Sequence, residues 1–575
     1  MGERAAETPL PRRSPPPAGF WVLLALLSGL VLLAGWPRPE LDATEVTQAL
    51  LAASLAVDGD RVFAPADAAR LERWQLSLGS EHPLPRPRLI QRGGDRLLAG
   101  DPVHAALVAP AVALGGVRLG LIAQGLLMAA ATLFSGWSLR RGLGIGAWSL
   151  TALLLAGSVT AAYGVNLWPQ GLHFALVLTA CAAIFAGSPL PRGSLEEVYS
   201  GPQRTALPLL LGRWSVAGIL LGLVGAAQPW ALPLVVAPVA AVPRGRRRAA
   251  VPALLLGAVA AVAGVWALTG FPVALQAVPD EGLSVFTRAG EAVVASPATD
   301  PRLWGWNVLY LAAGRHLGIA WYLAPALLLP LAAGRRGGRW VLWLGCAAAL
   351  ALLLGSRPFG LADASTVAAG PLLPLYAALW MTAVRPLPRL GLALGAVWAA
   401  ACLWPLWMAP RGAVADEEGR ATWPPPYLAR IAPVETTQAV GLPLGPETTV
   451  EGARVWLVGG AWLGRGGAIH WMGHQEGELL IAAPWPLGSF RLEAGQDAGA
   501  ELAIAGGETT ETLIRADGSV GFGVRPAATR AVHPVPWQSA PAWFYRLRLR
   551  LSGGPPAPVR VRVHDLQPQP YPEEP

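Results

Sequence analysis

Residues 19–36 read GFWVLLALLSGLVLLAGW, an apolar run without a charged side chain. Its eighteen residues would form a helix about 27 Å long, close to the roughly 30 Å thickness of the hydrocarbon core of a bilayer. The basic pair Arg12 and Arg13 precedes the run, as it would in a signal peptide. A signal peptide is normally followed by water-soluble sequence, whereas about ten further apolar runs follow here. We therefore interpret residues 19–36 as a retained transmembrane helix.

The composition of the whole chain also predicts a membrane protein. Hydrophobic residues make up 53% of the 575 residues and charged residues only 14%, too few to cover one water-soluble globule of this size. The formal net charge of +8 comes from short arginine clusters between apolar runs. These clusters are topology signals, so no nucleic-acid partner is predicted. The chain has no lysine, which excludes a Walker-type phosphate loop.

The cysteines offer no framework for metal or redox chemistry. Cys181, Cys346 and Cys402 each lie inside an apolar run, so neither a disulfide nor a CxxC pair is indicated. No metal site is predicted and no cofactor is certain, although a divalent cation is left open.

Apolar runs and arginine clusters together predict about eleven crossings. The fifth and sixth are short and meet at Gln228-Pro229-Trp230, where the proline interrupts the helix. The predicted crossings lie near 19–36, 116–138, 146–165, 168–187, 214–227, 230–242, 249–269, 318–334, 340–356, 366–384 and 388–408.

The arginine clusters orient these crossings. With eleven crossings, every cluster from Arg12/Arg13 to Arg385/Arg389 lies on one side, which the positive-inside rule assigns to the cytoplasm. We therefore predict a multi-pass protein of the cytoplasmic (inner) membrane with a cytoplasmic N-terminal tail, residues 1–18. Long loops usually carry function, and two of the predicted outer segments are long. The outer segments are 37–115, 270–317, 357–365 and everything after about residue 409.

Reporter fusions test this topology. Fusions at Arg141, Arg204, Arg247, Arg336 and Arg389 are expected to report the cytoplasm, because all arginine clusters then obey one rule. Fusions within 280–300 and after residue 420 are expected to report the outer side. A cytoplasmic signal from the C-terminal domain would overturn the helix count.

After the last predicted helix the pattern changes to alternation of apolar and polar residues, as in Arg546-Leu547-Arg548-Leu549-Arg550-Leu551 and in 559–563. Alternation with period two is typical of β-strands, and the strand spacing favours a β-sandwich. About eight strands are predicted, in these two segments and near 453–458, 478–483, 490–494, 501–505, 511–515 and 520–524.

The predicted fold is therefore a polytopic α-helical membrane protein with a C-terminal extracytoplasmic β-sandwich domain. The transmembrane domain covers 19–410, a linker covers 411–426, the β-sandwich covers 427–566, and a disordered tail covers 567–575.

Two acidic residues, Asp42 and Glu45, follow the first crossing. A carboxylate at the membrane surface is placed to act as a general base for an acceptor hydroxyl in the outer leaflet. The alternative is structural, because the two residues have the N-cap and N3 spacing of a capping box. Val46, Leu50 and Ala53 then form one apolar stripe of the helix that follows. Both interpretations stay open on these residues alone.

Further motifs follow in a characteristic order. The first helix after the crossing ends in Asp58-Gly59-Asp60, and later come Gly100-Asp101-Pro102-Val103-His104, Gly314-Arg315-His316-Leu317-Gly318 and Arg357-Pro358-Phe359-Gly360. With the acidic pair, this order resembles the GT-C fold glycosyltransferases of the protein O-mannosyltransferase and lipid A aminoarabinose transferase type. The similarity is patchy over residues 19–385 and rests on order and topology more than on one motif.

One position departs from the family pattern. Members usually show adjacent Asp-Glu at the start of the first loop helix, and counting back from Asp58-Gly59-Asp60 places Thr44-Glu45 there. Threonine is not a general base at neutral pH. Either Asp42 supplies the carboxylate from one turn earlier, or the chemistry is altered or lost.

The resemblance implies a sugar donor on a polyprenyl phosphate, whose leaving phosphate needs cationic partners at the outer membrane face. Arginine suits this because its planar fork binds phosphate bidentately. For each arginine the alternative is a side chain that reaches lipid headgroups, and for the tryptophan it is the aromatic belt of the interface. The catalytic candidates are Asp42 and Glu45, and the substrate-binding candidates are Arg86, Arg88, His104, Trp304, Arg315, His316 and Arg357.

Two functions are expected from these residues. The first is an inverting membrane glycosyltransferase that moves a sugar from a polyprenyl-phosphate donor, among membrane lipids, to a glycan, lipid or protein acceptor outside the cytoplasm. The second is a non-catalytic relative that binds a lipid-linked saccharide or scaffolds cell-envelope assembly, which Thr44 favours. A transporter fits less well, because the predicted helices carry few ionisable residues.

Overall fold

The computed structural model describes most of the chain. A helical region, 16–408, precedes a β-rich region, 447–569, and the segment 425–437 lies between them. The described residues are 16–36, 41–78, 84–92, 95–185, 207–241, 247–269, 287–288, 291–292, 301–333, 339–356, 361, 370–408, 425–437, 447–458, 461–463, 469–473, 476–494, 501–514, 520–527, 532–533, 542–552 and 558–569.

Helices dominate the first region. Four of the described helices are long and apolar enough to cross a membrane, over Ala18–Gly35, Pro102–Arg140, Arg247–Thr269 and Arg389–Met408. The helices are α1 (Ala18–Gly35), α2 (Ala43–Val57), α3 (Pro65–Leu78), α4 (Pro102–Leu143), α5 (Gly146–Ala156), α6 (Thr160–Val165), α7 (Pro169–Phe185), α8 (Leu207–Ala227), α9 (Pro233–Ala241), α10 (Arg247–Thr269), α11 (Pro301–Ala313), α12 (Ile319–Tyr322), α13 (Leu329–Ala332), α14 (Val341–Ser356), α15 (Leu373–Trp380), α16 (Arg389–Met408) and α17 (Pro426–Ile431).

The surfaces of the long helices are apolar. Large hydrophobic side chains are exposed along α1, α10 and α16, which in water would form patches far larger than a soluble protein tolerates. In lipid the same surface has no such cost, and a helix satisfies its own backbone hydrogen bonds. The chain is therefore an integral membrane protein. The exposed side chains on these helices are Trp21, Val22, Leu32, Leu33, Leu255, Leu256, Val259, Trp266, Leu268, Leu390, Leu394, Val397, Trp398, Trp404, Trp407 and Met408.

Several predicted crossings are broken in the structure. The segment 146–165 is divided into α5 and α6, and 318–334 into α12, a 3₁₀ turn at Ala324–Leu328 and α13. Pro325 and Pro330 have no backbone N–H to continue the helical ladder, which accounts for the second break. A 3₁₀ turn at Pro229–Ala231 separates α8 from α9, where the sequence predicted an interruption. The count of eleven crossings stays a prediction.

Helix α4 consists of two pieces. Gly115 and Gly116 have non-helical dihedral angles, and Gly116 adopts a φ of +63°, which favours glycine. The first piece packs with α2 and α3 around its own apolar cluster, which includes Val46, Leu50 and Val108. The break therefore separates the 41–115 subdomain from the predicted crossing at 116–138.

The C-terminal region consists of antiparallel strands. Those of the whole described chain are β1 (Leu89–Arg92), β2 (Asp95–Leu98), β3 (Thr287–Arg288), β4 (Glu291–Ala292), β5 (Glu447–Val450), β6 (Ala453–Val458), β7 (Ala461–Leu463), β8 (Ile469–Trp471), β9 (Gly477–Ala483), β10 (Leu487–Ala494), β11 (Glu501–Ala505), β12 (Gly507–Ile514), β13 (Val520–Pro526), β14 (Val532–His533), β15 (Ala542–Ser552) and β16 (Val559–Pro568).

Strands β5–β16 form two sheets in the described part of the chain. One has the order β11-β15-β9-β6-β5, with β14 beside β15, and the other has the order β12-β13-β10-β16-β8-β7. Leu479 and Leu547 of the first sheet share one apolar cluster with Phe522 and Val563 of the second. A β-rich C-terminal region is therefore confirmed, and its description as a β-sandwich stays an interpretation.

Strand β16 corrects the predicted boundary of the disordered tail. It continues to Pro568, which pairs with Leu487, and the Gln569 N–H donates to Pro486 O. Register shifts in this pairing interrupt the strict alternation, which is why the sequence pattern ended at 563. The remaining tail, 570–575, lies outside the described residues.

We expect the segment from about 415 to 566 to fold alone, after export, as a soluble β-domain without metal. The outer face of its first sheet bears the apolar residues Trp456, Leu480 and Phe544, and Val434 of the same segment packs against them. The segment therefore includes residues that cover part of this apolar face. Circular dichroism should show mostly β-structure; mostly helical spectra, or folding that requires zinc, would contradict the prediction.

Candidate functional site

The carboxylate pair at the start of α2 forms the capping box that the sequence predicted. The Glu45 N–H donates to Asp42 Oδ1 at 2.8 Å, and the Asp42 N–H donates to Glu45 Oε2 at 3.2 Å. These bonds satisfy backbone donors that a helix N-terminus would otherwise leave unpaired. The structural interpretation of the pair is thus confirmed, and a catalytic role has to be compatible with it.

The same two carboxylates also hold a distant segment of the chain. Trp168 Nε1 donates to Asp42 Oδ2 at 2.6 Å, and the Leu167 N–H donates to Glu45 Oε1 at 2.9 Å. Each of the four carboxylate oxygens therefore accepts at least one hydrogen bond. The pair fixes α2 against the segment that precedes α7.

Asp42 and Glu45 differ in burial, and this difference limits the role that each can have. Glu45 is only 1% exposed, as expected of a carboxylate used for positioning. Asp42 is partly exposed and is therefore the more accessible member of the pair. Thr44, the position at which the sequence departs from the GT-C pattern that it resembles, is 7% exposed.

A buried polar network lies behind the pair and contains His104. Gln48 fits best with its Oε1 accepting from the Asp101 N–H at 2.7 Å and its amide nitrogen donating to His104 Nδ1 at 3.2 Å. His104 Nε2 then donates to Gln124 Oε1 at 2.7 Å, which defines a neutral imidazole. His104 is fully buried and therefore acts here as a structural group; a substrate-binding role stays a prediction.

The network leads back to the segment that holds the carboxylates. Gln124 Nε2 donates to the carbonyl oxygens of Tyr163, Asn166 and Trp168, at 2.6, 2.6 and 3.1 Å. Gln124 thus shapes the turn from which Leu167 and Trp168 reach Glu45 and Asp42. Polar residues in an apolar run are expensive and mark sites of this kind, so Gln124 could have been found from the sequence.

Asp101 is the charged member of this network. Its Oδ1 accepts from the N–H groups of Val103 and His104, so it caps α4, and its Oδ2 lies 3.0 Å from His173 Nε2. Burial alone would raise the pKa of the Asp101 carboxyl, but His173 and the His104 N–H lower it below its ordinary value. His173 was another polar residue within a predicted crossing that sequence reasoning missed.

Arg315 and His316 lie among a different set of elements. Arg315 pairs with Glu478 of β9 through two hydrogen bonds, NH1 to Oε2 at 2.5 Å and NH2 to Oε1 at 3.0 Å. His316 Nδ1 lies 3.0 Å from Glu435 Oε2, and its backbone N–H donates to Glu435 Oε1. Both residues therefore connect the helical region to the C-terminal part of the chain, and their donor-binding roles stay predictions.

The remaining candidates differ in their accessibility. Arg86 and Arg88 are exposed, and the Arg88 N–H donates to Thr47 Oγ1 of α2 at 2.9 Å. Trp304 is half-buried and packs against the apolar cluster of the helical region. Arg357 lies outside the described residues. Within the described part of the chain, no group of three or more His, Cys, Asp or Glu residues is placed to hold a metal ion.

Comparison with known proteins gives one distant likeness. No family model matches the sequence, and no curated protein matches it. The chain is similar to a crystal structure of ArnT from Cupriavidus metallidurans in the apo state, with a TM-score of 0.35 and 16% sequence identity. The match covers 68% of this chain and 63% of that chain, so this chain spans less than two thirds of the ArnT structure. At this level of similarity the GT-C resemblance stays an interpretation.

Proposed function

We propose that this chain is a membrane glycosyltransferase that moves a sugar from a polyprenyl-phosphate donor to an acceptor hydroxyl outside the cytoplasm. The observation that supports the proposal is the Asp42 carboxylate, which is partly exposed and fixed by one donor on each oxygen. The acceptor hydroxyl belongs to a glycan, a lipid or a protein.

In the proposed reaction Asp42 is the general base. The acceptor oxygen bonds to the anomeric carbon while the bond from that carbon to the phosphate oxygen breaks, and polyprenyl phosphate leaves with the electron pair. The hydroxyl proton passes to Asp42. A carboxylate has about four lone-pair sites, so it can take up a proton while it also accepts hydrogen bonds. Its fixed donors hold it in one orientation, which general-base catalysis requires.

Glu45 is a positioning residue in this proposal. It is buried, and its bonds to the N–H groups of Asp42 and Leu167 keep the start of α2 in register with the turn before α7. That turn carries Trp168, the donor to Asp42 Oδ2. Loss of Glu45 therefore acts on the reaction through the orientation of Asp42.

Arg88 is the candidate cation that is linked to this helix. The Arg88 backbone N–H donates a hydrogen bond to Thr47 Oγ1, two residues after Glu45 in α2. The Arg88 side chain is exposed. A guanidinium there would bind the donor phosphate bidentately and stabilise the charge that develops as it leaves. Arg86 lies on the same segment with the same exposure.

A non-catalytic function is the second candidate. Two observations favour it: Thr44 replaces the usual aspartate, and the capping box already uses both carboxylates. The purified protein in lipid nanodiscs, offered polyprenyl-phosphate-linked sugars and hydroxyl acceptors, separates the two functions. Transfer that depends on Asp42 supports the enzyme, whereas saturable binding of the lipid-linked sugar without transfer supports the binding protein.

A further inference from the structure

Arg315 joins the helical region to the β-rich region through a shared carboxylate. It is 1% exposed and makes a bidentate pair with Glu478, and Arg546 Nε donates to the same carboxylate. Arg315 Nε is buried without a hydrogen-bond partner. Two guanidinium groups thus share one carboxylate.

The backbone of Arg315 is held independently of that ion pair. Its N–H donates to Pro433 O at 2.9 Å, and its carbonyl oxygen accepts from the Tyr322 hydroxyl. The Tyr322 bond lies within the helical region, so Arg315 keeps this anchor if Glu478 leaves. Glu478, in contrast, belongs to β9 and moves with the β-rich region.

We propose that Glu478 occupies the binding position of a phosphate on Arg315, and that a polyprenyl phosphate displaces it and undocks the β-rich region. The class of ligand rests on the proposed function. Carboxylate and phosphate oxygens suit the same guanidinium fork, and a phosphate offers three oxygens where the carboxylate offers two. The extra oxygen matches the buried Arg315 Nε, which has no hydrogen-bond partner.

The charge state of Glu478 is consistent with this competition. Burial alone would raise the pKa of the Glu478 carboxyl, but the hydrogen bond and charge of Arg315 and the charge of Arg546 lower it below its ordinary value. Glu478 is therefore an anion at neutral pH. A ligand has to replace its charge as well as its hydrogen bonds.

Binding of polyprenyl phosphate to the full-length protein in nanodiscs tests the proposal. Glu478→Gln is expected to tighten binding about tenfold, because it removes the competing carboxylate and raises the fraction of binding-competent molecules. Glu476→Gln is the matched control: Glu476 lies 3.7 Å from Arg548, next to Glu478 in the chain, and its pair does not include Arg315. Equal affinity in the parent and both variants, or no binding by any of them, overturns the proposal. Transfer assays on the parent and on Asp42→Asn decide the proposed function separately.

A distance measurement tests the same proposal without removing Glu478. The three native cysteines are buried, so probes attach to cysteines introduced at the exposed positions Val57 and Ile514. Polyprenyl phosphate is expected to change the distance between the probes, and polyprenol, which lacks the phosphate, is not. An unchanged distance at saturating polyprenyl phosphate, or an equal change with polyprenol, contradicts the proposal.

Discussion

Replacing Asp42 with asparagine is expected to lower the rate of sugar transfer by about 100- to 10,000-fold, because a general base typically contributes that much and an amide cannot take the proton. Asparagine keeps the size of aspartate, and its one amide oxygen can still accept from the Glu45 N–H. Its amide nitrogen cannot accept from Trp168 Nε1, so the fold should lose about 1–3 kcal/mol. Transfer of radiolabelled sugar from the polyprenyl-phosphate donor measures the first quantity. Thermal unfolding in detergent measures the second.

The control for this variant is Asp58→Asn. Asp58 is the C-cap residue of α2, so the change removes one negative charge from the opposite end of the same helix. Its carboxylate is about one third exposed and pairs with Arg70 at 2.7 Å. Arg70 keeps Asp67 as a second partner, so loss of the Asp58 charge should cost little stability. Near-native transfer by Asp58→Asn is expected. If Asp42→Asn also transfers at the parent rate, the base lies elsewhere and Asp42 is only a cap.

The sequence predicted the local part of the candidate site but not its long-range part. The spacing of Asp42 and Glu45 specifies a capping box, because the four residues involved are consecutive. The bonds from Trp168 and Leu167 connect residues more than 120 positions apart, as the separations of 126 and 122 show. Such contacts depend on how α2 packs against the turn before α7, which no local pattern encodes.

Sequence patterns also predicted some elements of the fold and missed others. The eight predicted strands coincide with β6, β9–β13, β15 and β16. In β15 and β16 the alternation follows from one buried face. Strands β5, β7, β8 and β14 were missed, since they have only two to four residues each. Among the helices, apolar runs predicted where helical segments lie but not where a helix is broken. Pro325 and Pro330 are apolar, so they do not interrupt the apolar pattern, although they interrupt the backbone hydrogen bonds of the helix.

Arg315 illustrates a further limit of sequence reasoning. Its residue type and predicted outer position fitted a phosphate ligand, and its alternative was a side chain among lipid headgroups. The structure shows a third arrangement, a carboxylate from β9 that lies 163 residues further along the chain. A charge can be assigned from sequence, whereas the choice among several possible counter-ions requires the tertiary fold.

Replacing Glu435 with leucine is expected to destabilise the junction by about 2–6 kcal/mol, because it leaves two buried backbone donors unpaired at about 1–3 kcal/mol each. Glu435 is 0% exposed, and its Oε1 accepts from the N–H groups of both His316 and Leu317. Leucine has a similar volume, so little of the loss comes from a cavity. Tryptophan fluorescence during SDS titration in mixed micelles measures the change.

The matched variant Glu435→Gln separates hydrogen bonding from charge. One amide oxygen can take the place of Oε1 and accept from both N–H groups, while the amide nitrogen faces His316 Nδ1, which accepts in its neutral form. Glutamine should therefore cost about 1 kcal/mol or less, the net value of one ordinary hydrogen bond. Equal losses for Gln and Leu would instead mean that the charge of Glu435 stabilises the 314–318 loop.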